Sequence, residues 1–115
     1  MTPTLYLVDL ARFTLYMQHI DAPSVRDMLV EWQNEKPSTE SMDLDEKVIS
    51  ISRMIGSGLA RIHDLNIIHG DLTTSNLLIR RELDQQDIIW IDFGLSYTST
   101  MHEDKGTTSL WTSRY

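Results

Sequence analysis

The string His69-Gly70-Asp71-Leu72-Thr73-Thr74-Ser75-Asn76, followed downstream by Asp92-Phe93-Gly94, concentrates the chemistry of this chain. Asp71 is a carboxylate that can accept a proton from a hydroxyl group. Asn76 offers a neutral amide oxygen and Asp92 a charged one. Hard oxygen donors of this kind suit Mg²⁺, which keeps several of its waters. Phosphoryl transfer asks for these parts: an aligned nucleophile and neutralised charge, with little covalent help from protein. Gly94 gives an ion-holding loop the backbone freedom it needs. His69 reads as a residue that orients the loop rather than as an acid or base.

Taken singly, Asp-Phe-Gly and His-Gly-Asp are weak signals, because such turns occur in many loops. Their conjunction is specific: Asp71, then Asn76, then a hairpin, then an apolar strand ending in Asp92-Phe93-Gly94. The other candidates carry less. His19, His63 and His102 share no metal-ligand spacing, and His63 is expected to cap or pack at a helix end. Ser96, Ser99 and the nearby threonines read as solvated loop hydroxyls. Met17 and Trp32 read as core residues.

The elements that must position these groups follow from periodicity. Leu5-Tyr6-Leu7-Val8 and Phe13-Thr14-Leu15-Tyr16-Met17 predict an antiparallel hairpin, and residues 18–23 a linker. Ser24, with Asp27 three residues on, predicts a capped helix whose Val25, Met28, Leu29 and Trp32 share a face. Residues 34–41, which include Pro37, predict a loop. A longer helix is expected from near Asp43, with Glu46 as capping partner, to His63-Asp64; Val48, Ile51, Ile55, Leu59 and Ile62 form its apolar stripe. Gly56 and Gly58 each cost that helix about 1 kcal/mol against Ala, and small residues there suit close packing. Leu77-Leu78-Ile79 and Ile88-Ile89-Trp90-Ile91 predict paired strands, with residues 80–87 as the turn. This hairpin brings Asn76 and Asp92 to one end. Residues beyond Leu95 are polar and show no clear period.

The composition is that of a globular domain or a piece of one: 115 residues, 41% hydrophobic, with a formal charge of −7. An acidic chain without a Lys/Arg stripe does not present a nucleic-acid surface. There are no cysteines, hence no disulfide framework or thiolate metal site. The N-terminal residues lack a basic segment and a long apolar run, and no stretch approaches a membrane span, so a soluble protein of cytoplasm or nucleus is expected.

On the residues Ile68-His69-Gly70-Asp71-Leu72-Thr73-Thr74-Ser75-Asn76, Ile91-Asp92-Phe93-Gly94-Leu95-Ser96 and Glu103-Asp104-Lys105-Gly106, the chain resembles the protein-kinase-like superfamily. More narrowly it resembles the small atypical serine/threonine kinases of the KEOPS (EKC) complex, the PRPK family. Thr-Thr-Ser before Asn76 and Glu-Asp-Lys-Gly after the Asp92 segment are the specific parts. The resemblance implies an α+β, protein-kinase-like fold, present in part: residues 1–20 as the last N-lobe strands and hinge, 21–106 as a partial C-lobe, and 107–115 as a divergent tail. It implies ATP and Mg²⁺ as cofactors, Asp71 as catalytic base, and Asn76 and Asp92 as metal ligands. Met17 falls at the gatekeeper position, Gln18 to Ile20 at the adenine-pairing hinge, and Leu78 on the adenine-pocket floor. The implied partners are KEOPS subunits, including a tRNA-modifying transferase, and a protein substrate phosphorylated on serine or threonine. tRNA is implied only indirectly, through its threonylcarbamoyladenosine modification.

The chain departs from the wider pattern in two places and lacks parts of it. Gly70 stands where many kinases carry an arginine that meets a phosphorylated segment, so no such switch is expected. Thr73 stands where many carry a lysine near the transferred phosphate. No glycine-rich loop or phosphate-holding lysine precedes Leu5; Lys36 and Lys47 lie beyond the hinge. The chain therefore reads as a fragment with little activity of its own. Two other readings stay open at this point: an aminoglycoside- or choline-type small-molecule phosphotransferase, and a non-catalytic docking module whose partly covered helix stripe meets a partner.

Overall fold

The computed structural model describes residues 1–34, 42–82 and 85–111, with side chains at 1–34, 46–80 and 87–106. Strands β1 (Leu5–Asp9) and β2 (Thr14–Met17) form the expected antiparallel hairpin, with an irregularity between Leu5 and Leu7. Its turn is held by Asp9, whose carboxylate accepts the Arg12 amide N–H at 3.1 Å and pairs with the Arg12 guanidinium at 3.2 Å. Met17, expected in the core, is instead exposed at 49%.

Helix α1 (Val25–Asn34) starts where the capping signal places it. Ser24 Oγ accepts the Asp27 N–H at 3.1 Å and donates to the Asp27 carboxylate at 2.7 Å. Val25 and Met28 are buried, and Leu29 and Trp32 pack beside them. Helix α2 (Met42–Asp64) matches the expected long helix. Of the loop expected at residues 34–41, Asn34 instead closes α1, and residues 35–41, like the side chain of the expected Asp43 cap, lie outside the described residues and side chains.

Strand β3 (Ile67–Ile68), a 3₁₀ turn (Thr74–Asn76), β4 (Leu77–Glu82), β5 (Gln85–Trp90), β6 (Tyr97–Thr98) and α3 (His102–Trp111) complete the order. The β4–β5 hairpin is longer than the apolar residues suggest, since residues 80–82 and 85–87 are paired and not turn. Arg80 faces Asp87 across the strands at 3.7 Å, and such opposite-charge pairs extend a ladder beyond its apolar part. Beyond Leu95 the chain is also more regular than expected. Helix α3 has little amphipathic pattern to read, but Glu103 and Asp104 in its first turn suit the positive end of a helix.

The core lies where α1 and α2 close over one face of β4–β5: Val25, Met28, Ile51, Leu72, Leu77, Ile79, Ile88 and Trp90. Fully burying an aliphatic side chain of this kind is worth about 1.5–3 kcal/mol. Gly58 sets how close α2 comes. A β-carbon there would sit 2.8 Å from the Trp90 indole, so the helix rests directly on the ring. Trp90 thereby fixes the end of β5, next to the residues of interest.

Candidate active site

The geometry starts at the last rung of the β4–β5 ladder, Leu77↔Trp90. One step beyond it, Ile91 N–H donates to the Asn76 carbonyl at 3.0 Å. The Ile91 carbonyl accepts from His69 Nε2 at 3.0 Å. A carbonyl only accepts, so the His69 proton is on Nε2. The residue before Asp92 is thus gripped from both sides by the upstream motif. His69 is fully buried, with its ring 4.6 Å from that of Phe93 and 6.1 Å from that of Trp90. Its Nδ1 is buried with no hydrogen-bond partner among the described residues. The expected loop-orienting role has a physical form: His69 couples the loop holding Asp71 to the strand end holding Asp92.

Asn76 ends the 3₁₀ turn. Its Nδ2 donates to the Asp71 carbonyl at 2.9 Å and to the Asp71 carboxylate at 3.2 Å. With the amide nitrogen committed to Asp71, Oδ1 is the oxygen left to meet a cation. Asp92 has a left-handed backbone, φ 60°, and its Oδ1 accepts the Gly94 N–H at 3.3 Å. A non-glycine residue in that region stores about 1–3 kcal/mol of strain, and such strain clusters at functional sites. Asp71 and Asp92 are exposed and Asn76 is half-buried.

Among the described residues no group of three or more His, Asp or Glu side chains could hold a metal ion. The candidate donors are of another kind, the Asn76 carboxamide and the Asp92 carboxylate at one end of the β4–β5 hairpin. This donor chemistry fits Mg²⁺ with water completing its shell.

Gly70 has φ 82°, and a β-carbon there would overlap the Leu95 carbonyl. The loop carrying Asp71 thus lies directly on the segment after Asp92. Sequence reasoning noted Gly70 only for the arginine it replaces and missed this contact. It also missed Ile91, whose two main-chain bonds leave no mark in side-chain type. Ser99, expected to be solvated, is half-buried and bonds to Asp104.

The residues expected at the adenine side lie on the linker between β2 and α1 and on β4. Gln18 N–H donates to the Thr4 carbonyl at 2.8 Å, and Gln18 Oε1 accepts the Thr4 N–H at 3.2 Å. Ile20 and Leu78 are half-buried. Leu78 bridges to Ser24, and Ile79 N–H donates to the Pro23 carbonyl at 2.9 Å. The structure therefore brings Leu78 to the far end of the linker that carries Gln18 and Ile20. His63, in the last turn of α2, is held below the usual histidine range by burial and then by the Lys105 charge, with Asp64 opposing.

Residues 7–115 match the protein kinase domain model. The mouse EKC/KEOPS complex subunit Tp53rkb is 44% identical over 106 residues, covering 90% of this chain and 41% of the relative. The Dictyostelium discoideum EKC/KEOPS complex subunit bud32 is 42% identical over 103 residues, covering 90% and 38%. A probable bifunctional tRNA threonylcarbamoyladenosine biosynthesis protein of Methanosphaera stadtmanae is 36% identical over 109 residues, covering 95% and 17%. The chain spans about two fifths of the length of the first two of these relatives. In fold it is similar to the Rio2 kinase from Chaetomium thermophilum, solved as an ADP/Mg²⁺-phosphoaspartate complex. The TM-score is 0.58 at 21% identity, over 95% of this chain and 30% of that one. The chain belongs to the protein kinase domain family, with a partial α+β kinase-like fold, and is related by sequence to the EKC/KEOPS complex subunits.

Proposed function

We propose that residues 69–94 form the ion- and nucleophile-handling part of a Mg-ATP-dependent phosphotransferase of the KEOPS type. The observation that carries this reading is the double grip on Ile91 by His69 and Asn76, with Asn76 Nδ2 turned to Asp71. It supports the reading because it links Asp71, Asn76 and the residue before Asp92, which the sequence separates.

In this reading the terminal phosphoryl group leaves ATP as the P–O bond to ADP breaks. It bonds to a serine or threonine hydroxyl oxygen of a protein, or to water. Asp71 accepts the hydroxyl proton. Asn76 Oδ1 and the Asp92 carboxylate would hold Mg²⁺, which when bound neutralises charge on the phosphates. Gln18, Ile20 and Leu78 would frame the adenine. Residues 1–20 then serve as hinge and strand ribbon, and 21–106 as the C-lobe front.

The names of the relatives, EKC/KEOPS complex subunits, support membership of such a complex as the setting; a tRNA-modifying transferase as partner, and tRNA reached only through it, belong to the proposal itself. Cytoplasmic and nuclear residence belongs to the same proposal. Among the described residues no helix is long and apolar enough to cross a membrane.

All five glycines lie at position 56 or beyond, so no glycine-rich phosphate cover precedes the hinge within these residues. Turnover by this chain alone is therefore expected to be low, because single preorganised donors are each worth about 10²–10³ in rate. The test is Mn²⁺-ATP binding by the 115-residue chain, read by electron paramagnetic resonance of the free ion. Binding that weakens about tenfold or more in Asp92→Ala and in Asn76→Ala supports the site. Binding of equal strength in both variants refutes it.

A further inference from the structure

The segment that follows Asp92 is tied back to the loop that precedes Asp71, and the ties converge on one cation. β6 pairs with β3 through Ile67↔Thr98 and Ile68↔Tyr97. Just outside this pair, Ser99 N–H donates to the Asn66 carbonyl at 2.9 Å. Ser99 Oγ accepts the Met101 N–H at 3.1 Å and donates to the Asp104 carboxylate at 2.5 Å. Next on α3 is Lys105, half-buried. Its Nζ donates to the His63 carbonyl at 2.7 Å and to Asn66 Oδ1 at 3.0 Å.

Two physical features make this a favourable seat for an ammonium. The C-terminal turn of α2 presents the negative end of the helix dipole, and the His63 carbonyl, which accepts the Asn66 N–H at 2.9 Å, has a second lone pair for the ammonium. Asn66 adopts the left-handed conformation, φ 58°, at the helix end, where asparagine is one of the residues that tolerate it. The donor is charged, so both bonds are of the stronger, charge-assisted kind. From Asn66 the chain runs through Ile67 and Ile68 directly into His69, whose ring holds the Ile91 carbonyl. A displacement at Asn66 therefore reaches both sides of the candidate site.

We infer that Lys105 is a positioning residue for this site: it holds the end of α2 and Asn66 against the segment 97–105, and so sets Asp71 and Asn76 relative to Asp92. This rests on the proposal that those three residues handle the phosphoryl group. Lys105 touches neither reactant in it. The order of the segment rests on the two bonds that Lys105 Nζ donates to the His63 carbonyl and Asn66 Oδ1.

The experiment is NMR on the full 115-residue chain as wild type, Lys105→Met and Lys105→Arg. The Asn76 Nδ2 protons, held by Asp71, report on the loop, and hydrogen exchange at the Ser99 amide reports on the tie. In Lys105→Met, Ser99 exchange is expected to rise about tenfold, and the Asn76 proton signals to move to those of a free carboxamide. Amides in β4–β5 stay as they were. Lys105→Arg, which keeps charge and donors, retains the wild-type signals. Unmoved Asn76 signals in Lys105→Met overturn the inference whatever happens at Ser99, since a merely structural tie would affect Ser99 alone. An Arg variant as shifted as the Met variant overturns it too. Should Lys105→Met unfold, Asn66→Gly removes only the Oδ1 acceptor while keeping the left-handed backbone, and must move the Asn76 signals the same way. None of these signals needs nucleotide, so failure of Mn²⁺-ATP binding counts against the site proposal and is read separately.

Discussion

Gly70 lies against the main-chain carbonyl of Leu95 with no room between them for a β-carbon. The position is doubly closed to other residues, since φ there is 82°. Restoring the arginine found here in many kinases is therefore expected to damage the loop and not to add a switch. Gly70→Ala and Gly70→Arg should each lower stability by about 1–3 kcal/mol, measured as a fall in the urea midpoint at unchanged slope. A Gly70→Arg variant as stable as wild type would show that the loop and the segment after Asp92 are not in contact.

Gly58 and Gly56 sit in the same helix and predict opposite signs. A β-carbon at Gly58 meets the rigid Trp90 ring at 2.8 Å, whereas at Gly56 it meets nothing within 4 Å. Gly58→Ala should destabilise by about 1–3 kcal/mol through overpacking. Gly56→Ala should stabilise by about 0.5–1 kcal/mol through helix propensity alone. Thermal midpoints of the two variants check both, and a matching sign at the two positions would contradict the packing of α2 on β5.

This contrast also shows where the sequence is legible. Both glycines sit in one amphipathic helix, and the periodicity of Ile51, Ile55, Leu59 and Ile62 announces that helix. Nothing in the pattern says which glycine faces an indole, because that depends on a strand tens of residues away. The convergence of Asn76 and Asp92 was readable, since two apolar strands joined by a short polar stretch must bring their outer ends together. Ile91 was not readable, because main-chain bonds carry no side-chain signature. Nor was α3, whose weak amphipathicity hides a helix fixed at its start by Ser99 and Asp104. Asn66, just after the end of α2, was a usable signal for a left-handed cap.

His63 predicts a pH dependence. Burial, and then the neighbouring Lys105 charge, hold its folded-state pKa below the ordinary value of about 6.5. Below that value the unfolded chain takes up a proton that the folded chain refuses. The contribution is therefore complete above about pH 6.5 and is lost as pH falls towards the folded-state value. Carboxylates add their own acid dependence, so the measurement is a difference. Urea midpoints of wild type and His63→Gln at about pH 7.5 and about pH 5.5 should show a shallower loss in the variant. Equal losses in the two would remove His63 from the account.

Asp92 sets stability against function at one residue. Its left-handed backbone, φ 60°, suits glycine better than any side chain, and the carboxylate recovers part of the cost through its bond to the Gly94 N–H. Asp92→Gly relieves the strain and loses that bond, so it should match or exceed wild type by about 0–1 kcal/mol. Asp92→Ala keeps a β-carbon in the same conformation without the bond, and should be less stable than wild type by about 1 kcal/mol. Both lack the carboxylate, so both should lose Mn²⁺-ATP binding. The order in thermal midpoint, Gly at or above Asp and Asp above Ala, is thus expected to separate from the order in binding, Asp above both. If Asp92→Gly keeps wild-type affinity, the strained aspartate is not there for its oxygens, and the ion must be held elsewhere.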